Sequence, residues 1–184
     1  MKNLRKRVGR FLLMFAMLFA GILLPQNTKA VWAADGSMTV HFLDVGQGLS
    51  ILVQSQGQNL LYDGGDRGHS SFVVSYLQKQ NISIIDYMIS SHYDEDHVAG
   101  LVGCLDSFSV KNVIGADYVQ DTKIYQSFEN SVAAQGLTVQ HPKPGTDFAF
   151  GGGKFTVLSP QSISSNDNDN SCLLYTSDAA DDRI

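Results

Sequence analysis

The chain has 184 residues, 43% of them hydrophobic, with 13 Lys and Arg against 18 Asp and Glu. All 18 acids but only seven of the bases lie beyond Ala34, so that part carries a formal charge of −11 and lacks the basic footprint of a phosphate-gripping protein. Two cysteines, Cys104 and Cys172, are too few for a disulfide framework, and Cys104, among Leu101, Val102 and Leu105, reads as a small buried hydrophobe.

The first 33 residues read as a secretory signal peptide. Lys2, Arg5, Lys6, Arg7 and Arg10 form a basic start, and Phe11 to Leu24 is uncharged and apolar. The run is short for a membrane span of about 20 residues; an uncleaved N-terminal anchor is the competing reading. A single domain is expected over 34–171. Met38 to Asp44 reads as a strand, Val45-Gly46-Gln47-Gly48 as a turn, Ser50 to Gln54 and Asn59 to Tyr62 as further strands, with Asp63-Gly64-Gly65-Asp66 closing the third. His41 is a strand residue and His69 a loop residue. Phe72, Val73, Tyr76 and Leu77 form a helical stripe, with Ser70 or Ser71 available as N-cap and an end near Asn81. Asp86 to Ile89 is the next strand, followed by the polar cluster at 90–97 and a short helix over Val98 to Leu105. Val110 to Ile114 is a strand. Thr122 to Ala134 is a helix with Ile124, Phe128, Val132 and Ala133 on one side. Leu137 to Gln140 is a strand, His141-Pro142-Lys143-Pro144-Gly145 a stiff connection, and Phe148 to Leu158 a hairpin. Strands first and strand–helix alternation afterwards predict an α/β sandwich with a mixed sheet. Leu173-Leu174-Tyr175 begins like a strand that has no partner segment. Residues 172–184 are similar to a translated sequencing adapter and are expected to be a non-native tail.

The chemistry concentrates in Ser90 to Gly100, where His92, Asp94, Glu95, Asp96 and His97 fall within six residues. Like charges so close raise one another's pKa, a cost that a divalent cation removes. Imidazole with carboxylate suits zinc, and carboxylate-rich sets also suit manganese or magnesium. The plain alternative is a solvated acidic loop. If the segment is extended, His92, Asp94 and Asp96 share one side. One metal would then take His92 and Asp94 and a second Asp96 and His97. Two ions about 3.5–4 Å apart can clamp both oxygens of a displacement.

His92-x-Asp94-x-Asp96-His97 resembles the H-x-H-x-D-H signature of the metallo-β-lactamase superfamily, with Asp94 in place of the second histidine. Together with Leu43-Asp44-Val45-Gly46-Gln47-Gly48, Asp63-Gly64-Gly65, Val157-Leu158-Ser159-Pro160 and Asn168-Asp169-Asn170-Ser171, it resembles the hydrolase domain of ComEC-like competence proteins. The resemblance implies the N-terminal half to two-thirds of an αββα sandwich. It also implies a hydrolase using two divalent metals, zinc or manganese, which the signal peptide before it would make secreted or cell-surface. His92, Asp94, Asp96 and His97 would be ligands, and Asp96 the catalytic residue orienting the attacking water. Asp44 and Asp63 would support the metal loop, with an Asx-type turn or a strand end as their plainer roles. Leu49 departs from the family, which places an acid there. The family's bridging aspartate and later histidines have no counterpart here, and His141 reads as an exposed turn residue. The chain is therefore expected to be an incomplete domain, poorly folded and inactive alone. The implied substrate is a phosphodiester, with nucleic acid disfavoured by the charge; a small ester, lactam or cyclic phosphodiester is the alternative. A non-catalytic, metal-stabilised binding module of a cell-surface assembly is the second class. No transmembrane segment is expected beyond the signal region.

Overall fold

Consecutive apolar residues along short strands make a sheet that is apolar on both faces. In the computed structural model, which describes residues 37–177, the elements run β1 (Met38–Phe42), β2 (Ile51–Ser55), β3 (Gln58–Tyr62), α1 (Ser70–Lys79), β4 (Ile84–Ile85), β5 (Tyr87–Ile89), α2 (Glu95–Ser107), β6 (Ser109–Val110), β7 (Val113–Ile114), α3 (Lys123–Ala134), β8 (Val139–Gln140), β9 (Asp147–Phe150), β10 (Gly153–Val157), a 3-10 turn over Asp167–Asn170, and β11 (Leu174–Ser177). The expected signal segment and the end of the expected tail lie outside the described residues. Strands order as β1-β2-β3-β5-β7-β8 in the main sheet. The first three pair antiparallel, with Leu52 opposite Leu61, and the rest join in parallel.

Successive side chains on a strand point to opposite faces. Leu52, Leu61, Met88 and Val113 therefore pack against Val73, Leu77, Leu101 and Phe128 of the helices. Their neighbours Val53, Leu60, Ile89 and Ile114 pack against Phe150, Phe155 and Val157 of a three-stranded sheet, β11-β10-β9. Each such burial contributes about 1.5–3 kcal/mol. The layers are helix, sheet and sheet, the N-terminal part of the expected αββα sandwich.

Several local expectations are corrected. The N-cap of α1 is His69, without a side-chain cap bond, not Ser70 or Ser71. Asp66 Oδ1 accepts from the His69 backbone at 2.9 Å and meets its ring at 2.7 Å, so the entry turn is wound one residue earlier. Phe72, in the expected apolar stripe, is 42% exposed. In α3 the capping Thr122 accepts from Tyr125 N at 3.2 Å; Tyr125 is buried with Phe128 and Val132, while Ala133 is exposed. The expected strand over 110–114 splits, β6 pairing with β4 and β7 with β5. The segment at 174–177 does have a partner: β11 pairs antiparallel with the free edge of β10, Val157 opposite Leu174.

The consequential correction concerns α2. It begins at Glu95 rather than Val98, so Asp96 and His97 are helical and the extended-segment alternation stops at Asp94. Asp94 is the N-cap residue, and Glu95 and Asp96 occupy the first turn, where negative charge is favoured by the helix dipole.

Candidate metal centre

Because β1, β3, β5, β7 and β8 all run the same way, their C-terminal loops open on one edge of the sheet. Open α/β sheets carry their ligands at such edges. Here the loop after β5 delivers His92, and the first turn of α2 delivers Asp96 and His97.

Two glycine contacts set these elements in register. Gly64 and Gly100 meet backbone to backbone, and a Cβ on either would collide with the other's main chain. Gly64 N donates to His97 O at 2.8 Å and Gly100 N to Gly65 O at 3.0 Å. Gly48, at φ +98°, packs in the same way onto the Asp96 backbone. The sequence marks Gly48 and Gly64 as turn residues and puts Gly100 in a helix; the close approaches depend on tertiary packing.

Asp63 anchors the polar network. It is fully buried, and its φ of 58° is a left-handed backbone conformation that few side chains tolerate. Its Oδ1 accepts from Ser91 N at 2.7 Å, and its Oδ2 from Ser91 Oγ at 2.6 Å and His97 Nδ1 at 2.9 Å. Ser91 Oγ also lies 2.9 Å from His92 Nδ1.

An ionised carboxylate only accepts, so His97 Nδ1 carries its proton. The single Ser91 hydrogen goes to Asp63, so Ser91 Oγ accepts from a protonated His92 Nδ1. In its neutral form each ring then presents a lone pair on Nε2. Their centroids are 4.0 Å apart.

What those lone pairs face is carboxylate. His92 Nε2 is 3.4 Å from Asp94 Oδ2, and His97 Nε2 is 3.9 Å from Asp96 Oδ2. His92 is 2% exposed, and its Nε2 has no hydrogen-bond partner. An orphaned buried nitrogen is costly, and a cation would satisfy it. Two donors on one tetrahedral ion at bond lengths of about 2.0–2.1 Å stand roughly 3.4 Å apart, which matches the His92–Asp94 pair. Histidines whose far nitrogen is held by a carboxylate or its relay are the usual arrangement around metals. The donor set therefore fits a divalent cation in pairs. Among the described residues no three His, Cys, Asp or Glu side chains converge into one closed metal group.

Burial, and then the neighbouring His97, depress the pKa of His92. Burial acts the same way on His97, but the hydrogen bond and charge of Asp63, with Asp96 and Asp94, carry it above the ordinary histidine value.

Two glutamines that the sequence does not single out as site residues hold the carboxylates, Gln47 at the Asp96 oxygen that faces His97 and Gln120 at the Asp94 oxygen turned away from His92. Gln47 Nε2 donates to Asp96 Oδ2 at 3.4 Å, and Gln120 Nε2 to Asp94 Oδ1 at 3.2 Å. Ser91 is equally inconspicuous as one more serine in a loop. Asp44 is exposed, and its carboxylate accepts from Gly46 N at 3.3 Å. It shapes the turn that packs on Asp96 rather than holding the metal loop directly. His41 bonds to Tyr76 Oη at 3.0 Å, and His141 to Gly115 O at 3.1 Å. Beside Asp94 and Asp96 lies an open cleft of about 740 Å³, whose far wall is Val119 to Ile124 and Asp167.

A family profile described as the metallo-beta-lactamase superfamily matches residues 43–157. The chain is 30% identical over 181 residues to Recombination protein 2 of Haemophilus influenzae, covering 95% of this chain and 20% of that protein. It is 33% identical over 85 residues to Competence protein ComA of Neisseria gonorrhoeae, covering 46% and 12% respectively. The chain thus spans a fifth or less of the length of these curated relatives. Among solved structures, a flavo di-iron protein mutant from Thermotoga maritima aligns at a TM-score of 0.50 and 21% identity, over 69% of this chain and 30% of that one, a likeness of fold alone.

Proposed function

The chain belongs to the metallo-β-lactamase superfamily, and on that premise we propose that it is the hydrolase part of a divalent-metal-dependent phosphodiesterase serving DNA uptake at the cell surface. The observation that carries this reading is the pair of Nε2 lone pairs set by the Asp63–Ser91 relay and turned toward Asp94 and Asp96. His92 and Asp94 would hold one cation, Asp96 and His97 another, zinc or manganese. Bound there, such ions supply Lewis-acid polarisation and lower the pKa of water toward neutrality.

The chain's own groups do the rest. Asp63 and Ser91 keep both imidazoles in one tautomer. Asp96, half-exposed at the cleft, orients the attacking water or takes its proton. Lys123 on the cleft wall, and Arg67 beside it once drawn from its 3.4 Å pair with Glu95, are the cations that would meet a phosphate there. Secretion would follow from the basic and apolar first 33 residues. Among the described residues no helix is long and apolar enough to cross a membrane.

The test is hydrolysis of bis(p-nitrophenyl) phosphate, in the presence of Mn²⁺ or Zn²⁺, by the longer protein in which this segment would be the hydrolase part. EDTA, His92→Ala and Asp96→Ala should each abolish turnover. Metal binding without turnover on phosphodiesters, esters or lactams would instead establish a binding module.

A further inference from the structure

Asp94 stands where its superfamily usually has a histidine, and a carboxylate there has a freedom that an imidazole lacks. It can present either oxygen, or swing away toward solvent, because it is only partly buried. Something must hold it if it is to face His92. We propose that Gln120 is a positioning residue for Asp94, fixing which carboxylate oxygen faces the metal and tying the metal loop to the Asn166–Ser171 segment. The proposal rests on the metal-site reading above.

The geometry of one amide carries it. Gln120 Nε2 donates to Asp94 Oδ1 at 3.2 Å and to Asp167 Oδ2 at 2.5 Å. Carboxylates only accept, so both amide hydrogens are committed, one to each acid. The amide oxygen is also engaged: Thr122 Oγ1 donates to Gln120 Oε1 at 3.5 Å and accepts from Tyr125 N as the cap of α3. The orientation of the amide is thereby set from both ends. With Oδ1 of Asp94 occupied, Oδ2 is the oxygen left facing the orphaned His92 Nε2.

The strap also answers an electrostatic problem. Asp94 and Asp167 face the same cleft, and two carboxylates bridged by one neutral amide repel less than two left unbridged. Asp167 opens the short 3-10 turn that carries Asn168-Asp169-Asn170-Ser171. Gln120 therefore spans three segments remote in sequence: the loop after β5, the loop after β7, and the turn before β11.

The experiment titrates Mn²⁺ into the full chain and its variants, reading the free ion by electron paramagnetic resonance, with thermal unfolding of each metal-free protein as a fold control. Gln120→Leu should weaken Mn²⁺ binding about 10–100-fold, as loss of an outer-shell partner does, with an unchanged unfolding midpoint. Gln120→Glu keeps the size but replaces the donor with a third carboxylate, and should bind no better than Gln120→Leu. In an Asp94→Asn background, Gln120→Leu should cost less than about twofold, because the oxygen it positions is no longer a charged ligand; a merely structural role would cost the same in both backgrounds. Unchanged affinity in both Gln120 variants, or equal losses in both backgrounds, overturns the positioning role and leaves the metal-site reading standing. Absence of Mn²⁺ binding by the unaltered chain, with a normal unfolding transition, overturns both.

Discussion

At the scale of single residues, the centre depends on Asp63 more than its sequence context announces. In the sequence it is one acid in an Asp-Gly-Gly turn, for which an Asx role is as natural as a supporting one. The three bonds it accepts depend on Ile89 bringing the chain back beside it, with Asp63 N donating to Ile89 O at 2.8 Å, a pairing no local pattern encodes. Asp63→Asn retains a side chain that tolerates left-handed backbone but loses the charge. It should lower stability by about 1.5–3 kcal/mol in urea unfolding and weaken metal binding about 10–100-fold. Ser91→Ala should do less to stability but release the His92 tautomer, visible as mixed ring ¹⁵N shifts in the metal-free protein. The crowding of imidazole and carboxylate from His92 to His97 was legible because it stands in consecutive residues at a strand end. Ser91, Gln47 and Gln120 were not, since hydroxyls and amides occur in any loop.

At the scale of elements, strands and helices were legible wherever period and capping agreed, as in β1 to β3 and α3. The start of α2 was not. Three consecutive acids look like a loop, yet the helix dipole makes its first turn the favourable place for Glu95 and Asp96. The same helix reverses a familiar rule. Alanine ordinarily stabilises a helix by about 1 kcal/mol over glycine. At position 100 the added Cβ meets the Gly64 carbonyl, so Gly100→Ala should instead lower stability, by at least about 1–3 kcal/mol as overpacking does, and weaken metal binding with it. In the β9–β10 hairpin, Thr156 Oγ1 at 2.6 Å and Lys154 Nζ at 2.9 Å hold the Asp147 carboxyl below its ordinary pKa. A depressed folded value means stability that is present above the unfolded value near 3.8 and lost as pH falls through the folded one. Asp147→Asn should therefore lower stability slightly at neutral pH and lose that difference as pH falls below about 4, which flattens the acid limb of the unfolding curve.

At the scale of the whole molecule, an acidic chain with clustered carboxylates should be visibly dependent on its counter-ions. A cation that binds only the folded state, at a hundredfold excess over its dissociation constant, adds about 2.7 kcal/mol. Mn²⁺ or Zn²⁺ should raise the thermal midpoint, EDTA should reverse the rise, and the double variant His92→Ala, Asp96→Ala should show neither effect. The order of layers was legible in the order of elements, hairpins first and alternation after. The pairing of β11 with β10 was not, because a strand's partner is chosen by which edge is free when it arrives. The parallel run of β3, β5, β7 and β8 has a further use. With His92, Asp94, Asp96 and His97 gathered on one edge, the opposite edge carries different chemistry, the buried Asp86 paired with Lys111 at 2.7 Å. Gly136, at φ +73° with nothing within 4 Å of the place a Cβ would take, stands there between α3 and β8. A fluorophore, an affinity handle or a surface tether attached at that turn should report on the molecule from the edge opposite His92, Asp94, Asp96 and His97.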